Sequence, residues 1–133
     1  MKPSITHGES VLFVLTERGR VLCETREWGG VLMQSIPGGR VEQVDRESDG
    51  YQEATLKREM EEELGVEPVA FRFIGDVWNG DTWVFYVFVV DEWRGELADV
   101  SREDERPLGW VHPRDLVDIH VMVGLSDLIR ETL

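Results

Sequence analysis

The sequence predicts an α/β (α+β) fold in which a mixed β-sheet lies between helices, and three observations predict it. Short Val-, Leu- and Phe-rich runs are interleaved with helix-type patterns instead of being segregated from them. Two of these runs, Glu9 to Thr16 and Val21 to Thr25, are separated only by Glu17-Arg18-Gly19-Arg20, a hairpin signature that brings antiparallel pairing into the sheet. A third run, Thr82 to Val90, is apolar on both faces and so belongs at the centre of a sheet covered on two sides.

In order along the chain, the hairpin is followed by a loop at Glu27-Trp28-Gly29-Gly30 and a third strand, Val31 to Ile36, which Pro37-Gly38-Gly39 ends as a tight turn. Val41 to Asp49 is polar with no helical stripe and reads as loop. A helix then runs from about Gly50 to Leu64. Asp49 caps it, Gln52 returns the hydrogen bond, and Gly65 supplies a left-handed stop. Leu56, Met60 and Leu64, spaced four apart, form an apolar ridge for packing on the sheet. Phe71 to Val77 reads as a strand, Trp78-Asn79-Gly80-Asp81 as a turn, Thr82 to Val90 as the central strand, and Glu92 to Glu96 as a turn. Ala98 to Arg106 is a charged loop and Leu108 to Val111 a short edge strand. Pro113 opens a helical turn through Val117, and Val121 to Thr132 is a last helix with Met122, Leu125 and Leu128 or Ile129 inward.

The 133 residues suit one domain, 1–133, with a core of ordinary size. Acidic residues outnumber basic ones by 27 to 14, a formal charge of -13, so the surface repels nucleic acid polymers and anionic membranes. A polyanionic small molecule would need a metal bridge to approach. Neither a bilayer-length apolar run nor a secretory leader pattern is present, which predicts a cytoplasmic protein. Cys23 is the only cysteine and sits in an apolar strand, as a small core residue does; His7, His112 and His120 are too dispersed for a zinc site.

The chemistry concentrates in Arg58-Glu59-Met60-Glu61-Glu62-Glu63-Leu64-Gly65-Val66. Beside the apolar ridge, Glu59, Glu62 and Glu63 recur at i, i+3 and i+4, where like charges repel, and Arg58 offers a partner to Glu62 but not to all three. A Glu-rich helix is ordinarily a solvated face. Here, a hard divalent cation would resolve the repulsion, and the side-chain-free turn at Gly38 and Gly39 lets backbone approach a metal or phosphate closely.

Gly39 followed by Arg58 to Val66 resembles the Nudix box, whose second half, Arg-Glu-apolar-x-Glu-Glu-x-Gly-apolar, is matched at every position. The resemblance implies a Nudix-type α/β/α sandwich and a MutT-like pyrophosphohydrolase that uses Mg2+, with Mn2+ as a substitute. It implies Glu59, Glu62 and Glu63 as metal ligands, Arg58 as the group orienting a carboxylate, and the Gly38 carbonyl as a further ligand. Glu62 is the candidate general base. Glu105, in Asp104-Glu105-Arg106-Pro107, resembles the acid that related hydrolases of oxidised purine nucleotides add from a loop outside the box. Gly39 and Arg40 are candidate phosphate contacts. Trp78 and Asn79 are placed in a turn from which they can touch a base, whereas Trp83 and Trp110 read as structural. No acidic pair of the kind associated with oxidised-purine selectivity follows Trp110.

One departure stands out. The family pattern leaves thirteen residues between the box glycine and the arginine; here eighteen, Arg40 to Lys57, intervene. Counted back from Arg58, the position of the family's supporting acid is Gly50, so that acid is Glu42, Asp45, Glu47 or Asp49, or is absent. The implied substrate is a nucleoside triphosphate cleaved to monophosphate and pyrophosphate. The alternatives are ADP-ribose, a sugar nucleotide or a dinucleoside polyphosphate, or a nucleotide-binding module without catalysis. The resemblance also makes a homodimer an expectation, with no interface marked.

Overall fold

The computed structural model describes residues 8–97, 107–118 and 122–133, apart from the side chain of Trp28. Among them are seven strands and three α-helices: β1 Gly8–Glu17, β2 Arg20–Trp28, β3 Val31–Ser35, β4 Gly38–Arg40, α1 Gln43–Arg46, α2 Tyr51–Leu64, β5 Glu67–Asn79, β6 Trp83–Arg94, β7 Leu108–Val111 and α3 Leu125–Thr132. The sheet is mixed, in the order β3-β2-β1-β6-β5, with β4 pairing β1 and β7 pairing β2. β1 and β6 run parallel from Gly8 opposite Trp83 to Leu15 opposite Val90. None of the described helices is long and apolar enough to cross a membrane.

The alternation of side chains along β1 explains why helices cover both faces. Val11, Phe13 and Leu15 pack with Leu56, Met60 and Leu64 of α2. Leu12 and Val14 pack with Met122, Leu125 and Ile129 at the other face, beneath α3. β6 divides in the same way and lies between β1 and β5, the central place its apolar faces predict. The β1–β2 hairpin closes through Arg18 and Gly19, both at positive φ (51° and 76°), as a two-residue primed turn requires. Cys23 is buried and its thiol is pushed up to about 12 by burial, consistent with a core role.

Several local expectations give way to tertiary pairing. Gly38 and Gly39 form no tight turn; with Arg40 they make β4, lying antiparallel on β1 with Gly39 opposite Val11. A Cβ at Gly38 would overlap the Val11 carbonyl, so the missing side chain permits this close approach. The segment read as loop contains α1, closed by the Glu42 N–H donating to Asp45 Oδ2 at 2.9 Å. Asp49 does not cap α2: Gly50, at φ 69°, precedes it, and no side chain caps that end. At the other end Gly65, at φ 70°, is the left-handed stop expected.

β5 extends from Glu67 to Asn79 because β6 pairs with it along its whole length, accommodating irregularities around Ala70 and Gly75. Trp78 and Asn79 are therefore strand residues, and the turn shrinks to residues 80–82. Glu92 to Arg94 likewise continue β6. The helical turn after Pro113 is a 3-10 turn ending at Asp115, and α3 begins at Leu125 after Gly124. The Asp118 carboxylate accepts the N–H groups of Gly124 and Ser126 there, each at 2.8 Å.

Candidate active site

The apolar ridge of α2 fixes its rotation on the sheet, which sends Arg58 and Glu59 toward β4. Arg58 is the hub. Its Nε donates to Asp45 Oδ1 at 2.9 Å and its Nη2 to Asp45 Oδ2 at 2.8 Å, a bidentate pair. Nη2 also donates to the Arg40 carbonyl at 2.9 Å, tying the helix to β4. Nη1 donates to Glu59 Oε1 at 2.8 Å and to Glu62 Oε2 at 3.1 Å, with a Glu42 oxygen at 3.7 Å.

Of the four acids that counting back from Arg58 left open, beside the alternative that the supporting acid is absent, Asp45 is the one in bidentate contact with Arg58. The pattern's thirteen intervening residues, with the acid eight before the arginine, put that acid six after the glycine; forward from Gly39 this is Asp45. The enlargement therefore falls between Asp45 and Arg58. Asp45 is 4% exposed, and its carboxyl is held down at about 2, chiefly by the Arg58 guanidinium, against the opposing effect of burial. The Glu42 N–H and the Thr55 hydroxyl, at 3.0 Å, complete its donors.

Glu59 is 7% exposed and lies against Gly39, where a Cβ would overlap its carboxyl group. Burial raises its pKa above the ordinary carboxylate value, the Arg58 hydrogen bond works against this, and the charges of Glu62 and Glu63 add to the rise. The Glu62 side chain is mostly exposed and Glu63 is half-buried.

Among the described residues no group of three His, Cys, Asp or Glu side chains is close enough to hold a metal ion. The convergence of Glu59, Glu62 and Glu63 on one point is thus not present in this geometry, in which Arg58 Nη1 bridges Glu59 and Glu62. The donors still fit a hard divalent cation. They are carboxylate oxygens on one side of α2, one of them desolvated and burdened by like charges, facing a strand position with no side chain.

The other candidates fall in different places. Gly38 and Gly39 are in β4, and the exposed Arg40 lays its guanidinium 4.9 Å from the centre of the Trp83 ring. Trp83, which begins β6, donates its indole N–H to Ser10 Oγ at 3.0 Å. Trp78 is half-buried against the α2-side core, and Asn79 is exposed at the end of β5. Glu105 lies outside the described residues. Trp93 and Trp110, both half-buried, stack on each other with ring centres 6.3 Å apart and pack against the α2-side core.

A group around Glu9 was not foreseen. Tyr51 and Tyr86 donate their hydroxyls to its Oε1, at 2.8 and 2.7 Å, and Arg46 pairs with its Oε2. The residues lie far apart in sequence, so no local pattern could have announced the group. A small cavity between β3 and α3, lined by Ser35, Ile36, Met122 and Leu125, contains the buried Ser35 hydroxyl, for which no described partner exists.

The NUDIX domain family model matches residues 6–130 of the chain. No curated protein sequence matches it significantly. Among solved structures it is similar to a MutT NUDIX hydrolase from Burkholderia pseudomallei, at 23% identity and TM-score 0.71, over 95% of this chain and 97% of that one. It is also similar to a MutT described for Aliivibrio salmonicida and Vibrio cholerae, at 19% identity and TM-score 0.74, over 95% and 98% of the two chains. A third is the NUDIX domain of Shewanella oneidensis NrtR, complexed with ADP ribose, at 19% identity and TM-score 0.64, over 96% and 89%. At these identities the likeness shows the fold.

Proposed function

The chain belongs to the Nudix hydrolase family, and from that premise we propose that it is a magnesium-dependent pyrophosphohydrolase that cleaves a nucleoside triphosphate to monophosphate and pyrophosphate. The observation that carries this reading is the seating of Glu59. Its carboxylate occupies the space that a side chain at Gly39 would fill, and Arg58, locked to Asp45, fixes its orientation.

Glu59, Glu62 and Glu63, with a backbone carbonyl at Gly38, would hold Mg2+ or Mn2+. When bound, the cation neutralises diphosphate oxygens and acidifies a water. The chain's own residues divide the remaining work. Arg58 keeps the Glu59 carboxylate turned toward β4, and Asp45 keeps Arg58 from rotating away. Glu62 is largely exposed and, among the described residues, held by one 3.1 Å hydrogen bond, which leaves it the freer carboxylate to accept a proton from an attacking water. Arg40 has its charge resting on an aromatic face, so its N–H donors are available to a phosphate. Asn79, exposed at the end of β5 beside the turn, contacts the nucleoside, together with Trp78 one residue before it. Glu105 supplies a further acid.

The experiment is a nucleotide panel assayed with Mg2+ for both phosphate and pyrophosphate. Pyrophosphate from one or more nucleoside triphosphates supports the reading. Turnover confined to ADP-ribose, sugar nucleotides or dinucleoside polyphosphates moves the substrate class. Binding without turnover across the panel rejects hydrolysis.

A further inference from the structure

The five additional residues between Asp45 and Arg58 are a departure that the box itself does not explain. An enlarged loop at this point ought to loosen the acid that anchors Arg58, because loop-closure entropy rises with length. The structure shows the opposite arrangement. Arg46, directly after Asp45, and Tyr51, the first residue of α2, both lie in the enlarged stretch with residues 47–50 between them, and both reach the same carboxylate. Arg46 pairs with Glu9 Oε2 and Tyr51 donates to Glu9 Oε1 at 2.8 Å. Tyr86 of β6 adds a third donor at 2.7 Å, and the Glu9 backbone carbonyl accepts the Val41 N–H at 2.9 Å. The Arg46 guanidinium also lies 5.2 Å from the Tyr51 ring centre, closing the loop on itself.

We infer that Glu9 is a positioning residue for the hydrolytic site: by gathering Arg46 and Tyr51 onto β1 it closes the enlarged segment and holds Asp45 against Arg58. The Glu9 side chain is 9% exposed, too buried for a casual surface pair, and its oxygens are shared among three donors from α1, α2 and β6. Its position on β1 is two residues from Val11, the strand partner of Gly39, so the strand that carries the clamp also pairs with β4, the strand whose Gly39 lies against Glu59. The chain of contacts is continuous: Glu9 to Arg46, along α1 to Asp45, to Arg58, to Glu59. Glu9 touches no reacting atom in this scheme and acts through Asp45.

Its consequence for turnover rests on the proposed hydrolase reading, whereas its structural readout does not. Arginine side-chain NMR of the metal-free protein measures hydrogen exchange at Arg58 Nε–H, the group donating to Asp45, and Mn2+ titration measures the metal site without turnover. Glu9→Gln should speed that exchange about tenfold, the scale of one weakened charge-assisted hydrogen bond, and weaken Mn2+ binding. Its kcat should fall while KM changes little. Tyr51→Phe, which removes one arm of the clamp, should do the same to a smaller extent and serves if Glu9→Gln does not fold. In an Asp45→Asn background Glu9→Gln should add nothing further at Arg58. Glu67→Gln, in an exposed pair with Arg94, is the control expected to change none of these. Unchanged Arg58 exchange in folded Glu9→Gln overturns the inference. So does faster exchange with unaltered Mn2+ affinity, which leaves Glu9 a purely structural role. If no nucleotide is hydrolysed, the exchange and Mn2+ measurements still decide it.

Discussion

Arg58 donates to Asp45, Arg40, Glu59 and Glu62, and the bond to Asp45 is the one whose strength can be read from titration. The Asp45 carboxyl is lowered from 3.8 to about 2, chiefly by its guanidinium partner and further by the Glu42 N–H and the Thr55 hydroxyl, against the opposing effect of burial. A depressed carboxyl stabilises the fold above its unfolded value and loses that contribution as pH falls through the folded one, so the effect is complete above about pH 5, declines below it and is gone only below about pH 2. It amounts to about 2 kcal/mol. Asp45→Asn should therefore cost on the order of 2 kcal/mol in urea unfolding at pH 7, with the difference from wild type shrinking as pH falls toward 2. Gly39→Ala should act differently. Gly39 is not at positive φ, so little backbone strain is expected, but the methyl group would displace the Glu59 carboxyl. Turnover should fall on the order of 10²-fold, as when a preorganised catalytic group is misplaced by about 1 Å, with unfolding nearly unchanged. The sequence made Arg58 and Glu59 legible because their spacing is local. Asp45 stayed one of four because counting back from Arg58 passes through the enlargement. The Gly39–Glu59 contact joins a strand to a helix and leaves no mark in either segment alone.

At the level of elements, the ridge on α2 was readable because Leu56, Met60 and Leu64 recur every four residues, and all three are fully buried. Met60→Ala should lower stability by roughly 2–5 kcal/mol while activity per folded molecule is retained, which unfolding curves and active-site-normalised rates would separate. The helix ends were less legible. A Gly-capped start at Gly50 lacks a side-chain signal, whereas Asp49 beside it carries one without capping, and α1 is held by Glu42 and Asp45, which in sequence look like ordinary loop acids. Strand lengths failed for a related reason. Glu67 to Ala70 and Glu92 to Arg94 contain proline and charge, yet they pair because β5 and β6 lie side by side. β-pairing is decided by the neighbour, which a single segment does not contain.

Over the whole molecule, the fold class was the most legible feature, since two-sided apolar strands and a one-sided helix leave few arrangements that bury every apolar face. The net charge of -13 sets the terms for the substrate. A nucleoside triphosphate approaching this surface is repelled unless its charge is neutralised, so nucleotide affinity should be strongly metal-dependent. Calorimetric titration in EDTA should show little binding, and millimolar Mg2+ should restore it and raise the melting temperature, since a ligand of the folded state alone stabilises it. The most direct test of the central claim, that the α2 carboxylates beside Gly39 form a metal-dependent hydrolytic site, is Mg2+-dependent nucleotide hydrolysis by wild type and Glu59→Gln at equal folded concentration. A loss on the order of 10²-fold or more in the variant is the predicted result; equal rates would contradict the account.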